Sequence, residues 1–430
     1  MKTYSTLLLF YFGIIMLATA QPAAIAPPQA SKIIITGATV HIGNGEVIEN
    51  GTIAFENGKI TYVGAALTAM NGASKVLSAN GKHVYPGLIE AATTLGLNEL
   101  DAIRAAHDEY EVGELNPSIR SIVAYNTDSR VIPTHLSNGI TTCHIIPQND
   151  GVGGLSSVVQ LNAWNYEDAT LAYDIALNIT WPYRPQARNA DEAEKIEVYK
   201  KQYDKKIAAF TKLFDDAKTY CNSNSVEPNL KLKSVCDLLT GKRKLIIYAY
   251  DAKSMLDAIA FADAYAIPLI IAGAYEANKI VSILKSKKVK IIVGSTHSLP
   301  YQDHDNIDQR YTLAALLKQN DIPFAISMFN VEIYKQRSLA FTAGTAAAHG
   351  LSREDALQAI TLDAAKILGL HKTIGSLEVG KEATLVISEG DILDMKSSKI
   401  TDVFIQGRSI ELMNTQSYQY ERYKQKYGLK

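Results

Sequence analysis

Eight apolar, strand-like runs recur through the middle of the chain, and helical stretches separate several of them. Strand-like runs that alternate with amphipathic helical segments indicate βα units around a parallel sheet. Eight parallel strands ringed by helices is the number that closes into a (β/α)8 TIM barrel. The sequence therefore predicts an α/β protein whose largest part is such a barrel. The predicted strands cover residues 84–92, 139–146, 156–162, 173–180, 244–250, 268–274, 289–294 and 322–328.

The two ends of the folded part read differently from the middle. Residues 32–64 alternate apolar and polar positions, and Asn-Gly pairs at 50–51 and 57–58 favour tight hairpin turns. Short strands with Gly turns return between residues 374 and 412. Neither half has enough residues to bury its own core, so we expect both to pack together as one small β-sandwich.

These patterns divide the chain into six consecutive parts. The predicted parts are a signal peptide (1–20), a disordered leader (21–31), the first part of the β-sandwich (32–83), the TIM barrel (84–372), the second part of the β-sandwich (373–412) and an exposed tail (413–430).

The first twenty residues have the features of an export signal. Lys2 is followed by the apolar run 7–17, and Ala18 and Ala20 are small residues at the positions that a signal peptidase reads. The run is short for a membrane span. We therefore predict cleavage after Ala20 and a secreted or periplasmic protein, with no membrane attachment after cleavage.

The net charge and the cysteines bear on possible ligands and on disulfide formation. A formal net charge of −1 gives no reason to expect nucleic-acid binding. Three cysteines cannot form a disulfide framework, but Cys221 and Cys236 flank a loop-like stretch and are able to pair in an oxidising compartment. Cys143 lies in an apolar run and is expected to be a buried free thiol. Spacing alone does not decide whether the pair forms.

Two motifs and an order of elements resemble the amidohydrolase superfamily, in its imidazolonepropionase-like branch. The run GKHVYPGLIEAATTLGL (81–97) is similar to the family's first barrel strand, and IGSLEVGKEATLVI (374–387) is similar to its return into the sandwich. A helix, a return strand, a Gly-Asp turn and a closing strand follow one another over 352–412, as in the family. The runs 111–143 and 296–327 resemble an exported bacterial subgroup.

The resemblance implies metal-assisted hydrolysis of carbon–nitrogen bonds other than peptide bonds. In the family, one or two divalent cations such as Zn²⁺ at the carboxyl end of the barrel activate a water molecule, and an Asp on the last strand takes its proton. The ligands come from an HxH motif on strand 1, often a carboxylated Lys on strand 4, one His each on strands 5 and 6, and the Asp on strand 8.

Carried over residue by residue, that ligand set is missing from this sequence. The HxH positions hold Ala92 and Thr94, and the strand 4 run 173–181 contains no Lys. The positions of the two single His ligands and of the Asp base hold, in order, Tyr248, Ala272 and Phe329. These side chains do not bind Zn²⁺, which takes imidazole, thiolate or carboxylate ligands. We therefore expect no metal cofactor and no activity by the inherited mechanism.

Other polar residues near the predicted mouth of the barrel offer alternatives. His297 ends strand 7, and a polar loop with further potential ligands follows it; His144 ends strand 2; Glu90 occupies the position of an Asp in the family's first motif. Such a cluster is chemically able to bind a metal, but a solvated acidic loop is equally consistent with the pattern. The potential ligands of that loop are Asp303, His304 and Asp305.

Three hypotheses remain open from the sequence. The first is a non-catalytic member of the family that binds a small molecule or serves as a partner subunit in a homo- or hetero-oligomer. The second is an active hydrolase of carbon–nitrogen bonds with an altered site around His297 and His304. The third is a structural scaffold, which a barrel mouth filled by Tyr248, Met328 and Phe329 would favour.

Overall fold

The computed structural model describes residues 25–65, 75–100, 103–183, 190–223, 227–300 and 305–429, and for residues 190–195 it describes the backbone alone. Sixteen strands in this part of the chain form two eight-stranded sheets. The first five strands are β1 (Ile33–His41), β2 (Val47–Glu56), β3 (Lys59–Gly64), β4 (Lys75–Ser78) and β5 (His83–Pro86), and the last three are β14 (Leu385–Ser388), β15 (Ile400–Ile405) and β16 (Arg408–Ser409).

The other eight strands form the barrel sheet and follow one another in chain order around it. Their positions agree with the eight predicted runs, and the predicted fold class is confirmed. They are β6 (Leu88–Thr93), β7 (Ile140–Ile145), β8 (Val152–Gln160), β9 (Thr170–Thr180), β10 (Lys244–Ala249), β11 (Leu269–Gly273), β12 (Lys290–Val293) and β13 (Phe324–Ile326).

The prediction of eight parallel barrel strands is wrong for one strand. β8 is antiparallel to β7 and to β9, whereas the other paired neighbours in the barrel are parallel. The reason is the length of the connections. Residues 146–151 join β7 to β8 without a helix, and residues 161–169 join β8 to β9 with one four-residue helix, whereas a parallel crossover needs about a dozen residues or more.

Helices cover the outside of the barrel and its ends. Asp251 caps the helix after β10, and Ser352 caps the helix that begins at Arg353. The predicted terminal helix is broken at Thr361 into two short helices. The helices are α1 (Ile132–Leu136), α2 (Tyr166–Ala169), α3 (Ala190–Asn222), α4 (Leu230–Leu239), α5 (Ala252–Ala264), α6 (Val281–Ser286), α7 (Gln309–Gln319), α8 (Leu339–Ala348), α9 (Arg353–Ala359), α10 (Leu362–Leu368) and α11 (Thr415–Lys426), with short 3-10 turns at Arg104–Ala106, Ser121–Ala124, Ala277–Lys279 and Ile333–Ser338.

The small sheet joins strands from both ends of the chain, as predicted. Its order is β16-β15-β14-β5-β1-β2-β3, with β4 beside β1. The sheet curls over itself, because Phe55 of β2 and Phe404 of β15 pack edge to face at 5.2 Å although three strands lie between them in the sheet. The amide of Ala383 also donates to the carbonyl of Gly58. The two ends of one sheet thus form the two layers of the sandwich.

Two predicted boundaries differ in the structure. The predicted strand 84–92 is divided, since His83–Pro86 pairs within the small sheet and Leu88–Thr93 belongs to the barrel. Disorder was predicted for residues 21–31, but from residue 25 the chain is packed: Ala26 is buried and its amide donates to Asn162 at 3.0 Å. Gln29 bonds to two backbone groups of the β2–β3 hairpin. These bonds fix the end of the predicted leader against the folded part.

A disulfide joins Cys221, at the end of α3, to Cys236 in α4. It closes the connection between these two outer helices. Cys143 is a buried free thiol in β7. In the described ranges no helix combines the length and the apolar character that a membrane crossing requires. The predicted signal peptide lies outside these ranges.

Candidate functional site

The positions that correspond to the family's metal ligands lie inside the barrel. Ala92, Tyr248, Ala272 and Phe329 belong to one buried cluster enclosed by the strands. Tyr248 of β10 and Ala272 of β11 are register partners on neighbouring strands. Thr94 is buried immediately after β6. Two alanines and two large rings thus share one cluster at the positions that the sequence predicts for the family's ligands.

The two rings fill this space together. Tyr248 and Phe329 pack edge to face with centroids 5.4 Å apart, and each is 6% exposed. Burial raises the pKa of the Tyr248 hydroxyl well above its usual value, so the group is a neutral phenol. Its hydroxyl lies 3.4 Å from Oδ1 of Asn178 on β9. Met328, which the sequence predicted beside them, is also buried but belongs to a different hydrophobic cluster, where its sulfur accepts from Thr342 of α8.

These residues do not fit a catalytic metal. Alanine and phenylalanine have no donor atom, and a protonated phenol that is hydrogen-bonded to an amide is a poor ligand for Zn²⁺. Phe329, at the position predicted for the family's general base, has an apolar ring that cannot take a proton. In the part of the chain that the structure describes, no group of three or more His, Cys, Asp or Glu side chains is arranged to hold a metal ion.

A chain of buried polar groups crosses the barrel wall next to these rings. Nδ2 of Asn178 donates to Oγ of Ser156 at 2.8 Å. Oγ of Ser156 lies 2.7 Å from Nε2 of His144, and Nδ1 of His144 lies 2.8 Å from the carbonyl oxygen of Ala91. The carbonyl can only accept, so Nδ1 carries the proton and Nε2 accepts from the serine hydroxyl. These hydrogen bonds thereby link β6, β7, β8 and β9 and, through Asn178, reach Tyr248.

Serine and imidazole in this arrangement resemble a nucleophile with its base. Ser156 and His144 are, however, both fully buried. Burial also lowers the pKa of His144 to about 4, so its imidazole is neutral at pH 7. The same fully satisfied bonds hold the antiparallel strand β8 between its neighbours, and we assign them that structural role.

Glu90 lies at the seam of the barrel. The two end strands of the sheet order, β6 and β13, share no backbone ladder in the described residues. Oε1 of Glu90 accepts from the amide of Met328 at 3.0 Å and from the hydroxyl of Ser327. Burial raises the pKa of Glu90 to about 7. This side chain therefore bridges the seam, where it also lies next to the backbone of Ala92.

The structure describes only part of the alternative ligand cluster, which follows the seventh barrel strand, β12. His297 is exposed, and its Nε2 bonds to Oγ1 of Thr345 on α8 at 2.5 Å. The side chain of Asp305 is buried and pairs with Lys279 at 3.4 Å. His297 and Asp305 thus engage different elements. Asp303 and His304 lie outside the described residues.

Sequence reasoning missed Ser156, Asn178 and their connection to His144. A signal was present, because Asn178 follows Ala176 by two residues and therefore shares its inward face. Detecting it requires knowing which face of each strand is inward, and the reversed direction of β8 was not predicted. The polar chain depends on that reversal.

Comparison with known proteins identifies relatives over most of the chain. Residues 240–410 match the amidohydrolase family. The chain is 26% identical over 372 residues to the imidazolonepropionase of Thermoplasma volcanium, which covers 80% of this chain and 85% of that protein.

Solved structures of related fold also superpose on most of the chain. An amidohydrolase from Thermotoga maritima superposes with a TM-score of 0.77 at 25% identity, over 88% of this chain and 99% of its own. An adenosine deaminase from Xanthomonas campestris with bound zinc superposes with a TM-score of 0.54 at 16% identity, over 93% of this chain and 98% of its own. The second likeness concerns the fold alone.

Proposed function

This chain belongs to the amidohydrolase superfamily, in its imidazolonepropionase-like branch, and from that premise we propose that it is a non-catalytic member that serves as a subunit of an assembly. The observation that carries the proposal is the packed pair Tyr248 and Phe329 at the family's ligand positions. An enzyme of this mechanism needs imidazole or carboxylate groups there and room for water and substrate.

The packing supports loss of the site rather than its rearrangement. Restoring the ligands would require polar side chains at several positions that are now buried among apolar groups, such as Ala92 and Ala272. Each unpaired polar group in that environment would cost about 1–3 kcal/mol. The barrel interior is therefore stable as an apolar core, and it supports a scaffold better than a metal centre.

Hydrolysis of test substrates examines this part of the proposal. The purified chain is incubated with Zn²⁺ or Mn²⁺ and assayed on amides, lactams and dipeptides, with the Thermoplasma volcanium imidazolonepropionase assayed alongside on its own substrate as the positive control. We expect no turnover above the uncatalysed rate. Metal-dependent turnover that a chelator abolishes would contradict the proposal and favour an altered site near His297.

The terminal helix α11 supports association with a second copy. None of its residues is buried, and Tyr420, Tyr423 and Tyr427 are exposed on one face at i, i+3 and i+7 spacing. Isolated helices of this length are marginal in water. Side chains anchor only its beginning, where Asn414 donates to Ser137 at 2.8 Å. A partner surface over the tyrosines would stabilise the rest.

The same face is able to pair with itself. The ammonium groups of Lys424 and Lys426 lie over the rings of Tyr420 and Tyr427, at 6.0 and 5.3 Å. A two-fold contact requires one surface that carries both halves of the interaction. Cations and aromatic rings on one helix meet that requirement, because each lysine can contact a ring of the other copy.

Light scattering tests the association. We expect the wild-type chain to have the mass of at least two copies, and a variant with Ser at positions 420, 423 and 427 to have the mass of one. Serine keeps these exposed positions polar, so folding should be unchanged. A wild-type monomer at micromolar concentration, or an unchanged oligomer in the variant, would refute this interface.

We also propose export to an oxidising compartment. The signal-like residues 1–20 are the first support, and the Cys221–Cys236 disulfide is the second, because such bonds persist mainly outside the reducing cytosol. Mass spectrometry of the exported protein should find an amino terminus at Gln21. An unprocessed chain in the cytosol would contradict this proposal.

A further inference from the structure

A pair of histidines lies where the small sheet meets the barrel, away from the barrel interior. His41 is the last residue of β1 and His83 is the first of β5. Nε2 of His41 and Nδ1 of His83 are 3.1 Å apart. On its other side, Nδ1 of His41 lies 2.7 Å from Oε1 of Glu354 in α9. The three side chains thus form a line from the sheet to a barrel helix.

The fold holds the pair firmly in place. β1 and β5 are parallel neighbours, with Thr39 opposite His83, so the two histidines come from adjacent strands of one sheet. The ring of Tyr85 stacks on that of His41 with centroids 4.4 Å apart. The His41 side chain is 13% exposed. The imidazoles are therefore oriented by packing and remain reachable from solvent.

We propose that His41 and His83 chelate one divalent transition-metal cation of the Zn²⁺ class, with Glu354 fixing the orientation of His41. Imidazole is the nitrogen ligand that such cations prefer. A carboxylate on the far nitrogen of a ligating histidine is the usual partner that sets its tautomer and raises its basicity. Water would complete the coordination, since no third protein ligand is arranged there among the described residues.

The distance between the two nitrogens suits a shared cation. Two Zn–N bonds of about 2.0–2.1 Å that meet at angles between about 90° and 109° separate their nitrogens by about 2.9–3.3 Å. The observed 3.1 Å lies within that range. The cation would replace the single proton that now joins the two rings.

The proton balance is simple. Nδ1–H of His41 donates a hydrogen bond to Glu354, so the lone pair of that ring is on Nε2. His83 now donates its Nδ1 proton to this lone pair. When the cation binds, His83 keeps one proton by carrying it on Nε2 instead, so both facing nitrogens present lone pairs and no net proton is released.

The surrounding charges favour a cation. Burial, with His41 as the second cause, lowers the pKa of His83. The carboxylates of Glu49 and Glu354 both act on His83 with the opposite sign. Oε2 of Glu354 is buried without a hydrogen-bond partner in the described structure. Two carboxylates thus lie near the two imidazoles, which suits a divalent cation.

Calorimetric titration of the purified mature chain with Zn²⁺ tests the site. We expect one ion per chain. His83→Gln, which preserves a polar side chain, should weaken binding at least tenfold, because it removes one of two protein ligands. Glu354→Gln should weaken it by about 10-fold or more, as loss of a carboxylate behind a ligating histidine does. His297→Ala is the matched control, since it removes a histidine of the barrel and should leave binding unchanged.

Each outcome decides between sites. No Zn²⁺ binding to the wild type, or equal binding in His83→Gln with thermal unfolding unchanged, would overturn the proposal. Binding that survives His83→Gln but disappears in His297→Ala would place the ion at the barrel mouth, and would overturn the proposed loss of the family's site as well. Binding that is lost in His83→Gln alone supports the histidine pair and leaves the proposed function untouched.

Discussion

Truncation of Phe329 tests whether the barrel mouth is a packed core or an open pocket. The ring is 6% exposed and packs edge to face against Tyr248. Burying a phenylalanine side chain contributes about 1.5–3 kcal/mol, and the cavity that truncation leaves raises the usual cost of Phe→Ala to about 3–5 kcal/mol. That range includes the edge-to-face contact, which alone contributes about 0.5–1.5 kcal/mol.

We therefore expect Phe329→Ala to lower the free energy of unfolding by about 3–5 kcal/mol. Urea unfolding followed by circular dichroism measures the change, as a lower midpoint with an unchanged slope. Trp164→Ala is the control, because this larger ring is 75% exposed and its truncation should change stability by no more than about 0.5 kcal/mol.

A loss below about 1 kcal/mol for Phe329→Ala would refute the reasoning, since a ring that costs so little to remove would be lining a space and not filling a core. A small-molecule pocket would then be the better account of the mouth, and the non-catalytic subunit would become a ligand-binding protein.

Two further predictions concern the disulfide and the barrel seam. The denatured, unreduced chain should have one titratable thiol, and Ser at both Cys221 and Cys236 should cost about 3 kcal/mol, as expected for a loop of 15 residues; three thiols before reduction would refute the pairing. Burial raises the pKa of Glu90 from 4.5 to about 7. Between these two values the folded state holds a proton that the unfolded chain releases. The contribution of Glu90 to the free energy of unfolding is therefore complete below pH 4.5 and is lost as the pH rises through 7. The loss is on the order of 3 kcal/mol at 1.36 kcal/mol per pKa unit. Glu90→Gln has no such proton and should not lose stability in this way. In urea unfolding from pH 4.5 to 8, the wild type should therefore lose stability relative to the variant as the pH rises. Parallel pH profiles of the two proteins would contradict the raised pKa.

The sequence predicted the barrel well because its signals are local. Apolar runs such as 244–250 and 268–274 alternate with helical stretches, and they agree with β10 and β11. The pairing of the two ends was predictable because neither can bury a core alone. Asn57 and Gly58 form the predicted β2–β3 turn, both with positive φ.

What the sequence did not predict depends on contacts between distant residues. The direction of β8 follows from two short connections, but its buried apolar run fits either direction. The bond from Ala26 to Asn162 spans 136 residues and has no local signal. The pairing of His41 with His83 likewise requires the strand register, so neither histidine was a candidate in the sequence. The assignment of Phe329 to the family's base position stays a prediction from the resemblance.

Metal analysis of a chain without the histidine pair tests the central claim most directly. The variant with Ala at His41 and His83 is incubated with Zn²⁺, freed of excess by gel filtration, and measured by elemental analysis. Loss of the family's site predicts less than about one tenth of a zinc ion per chain. Zinc near one ion per chain, removed by the additional change His297→Ala, would contradict the claim and establish a working metal site at the mouth of the barrel.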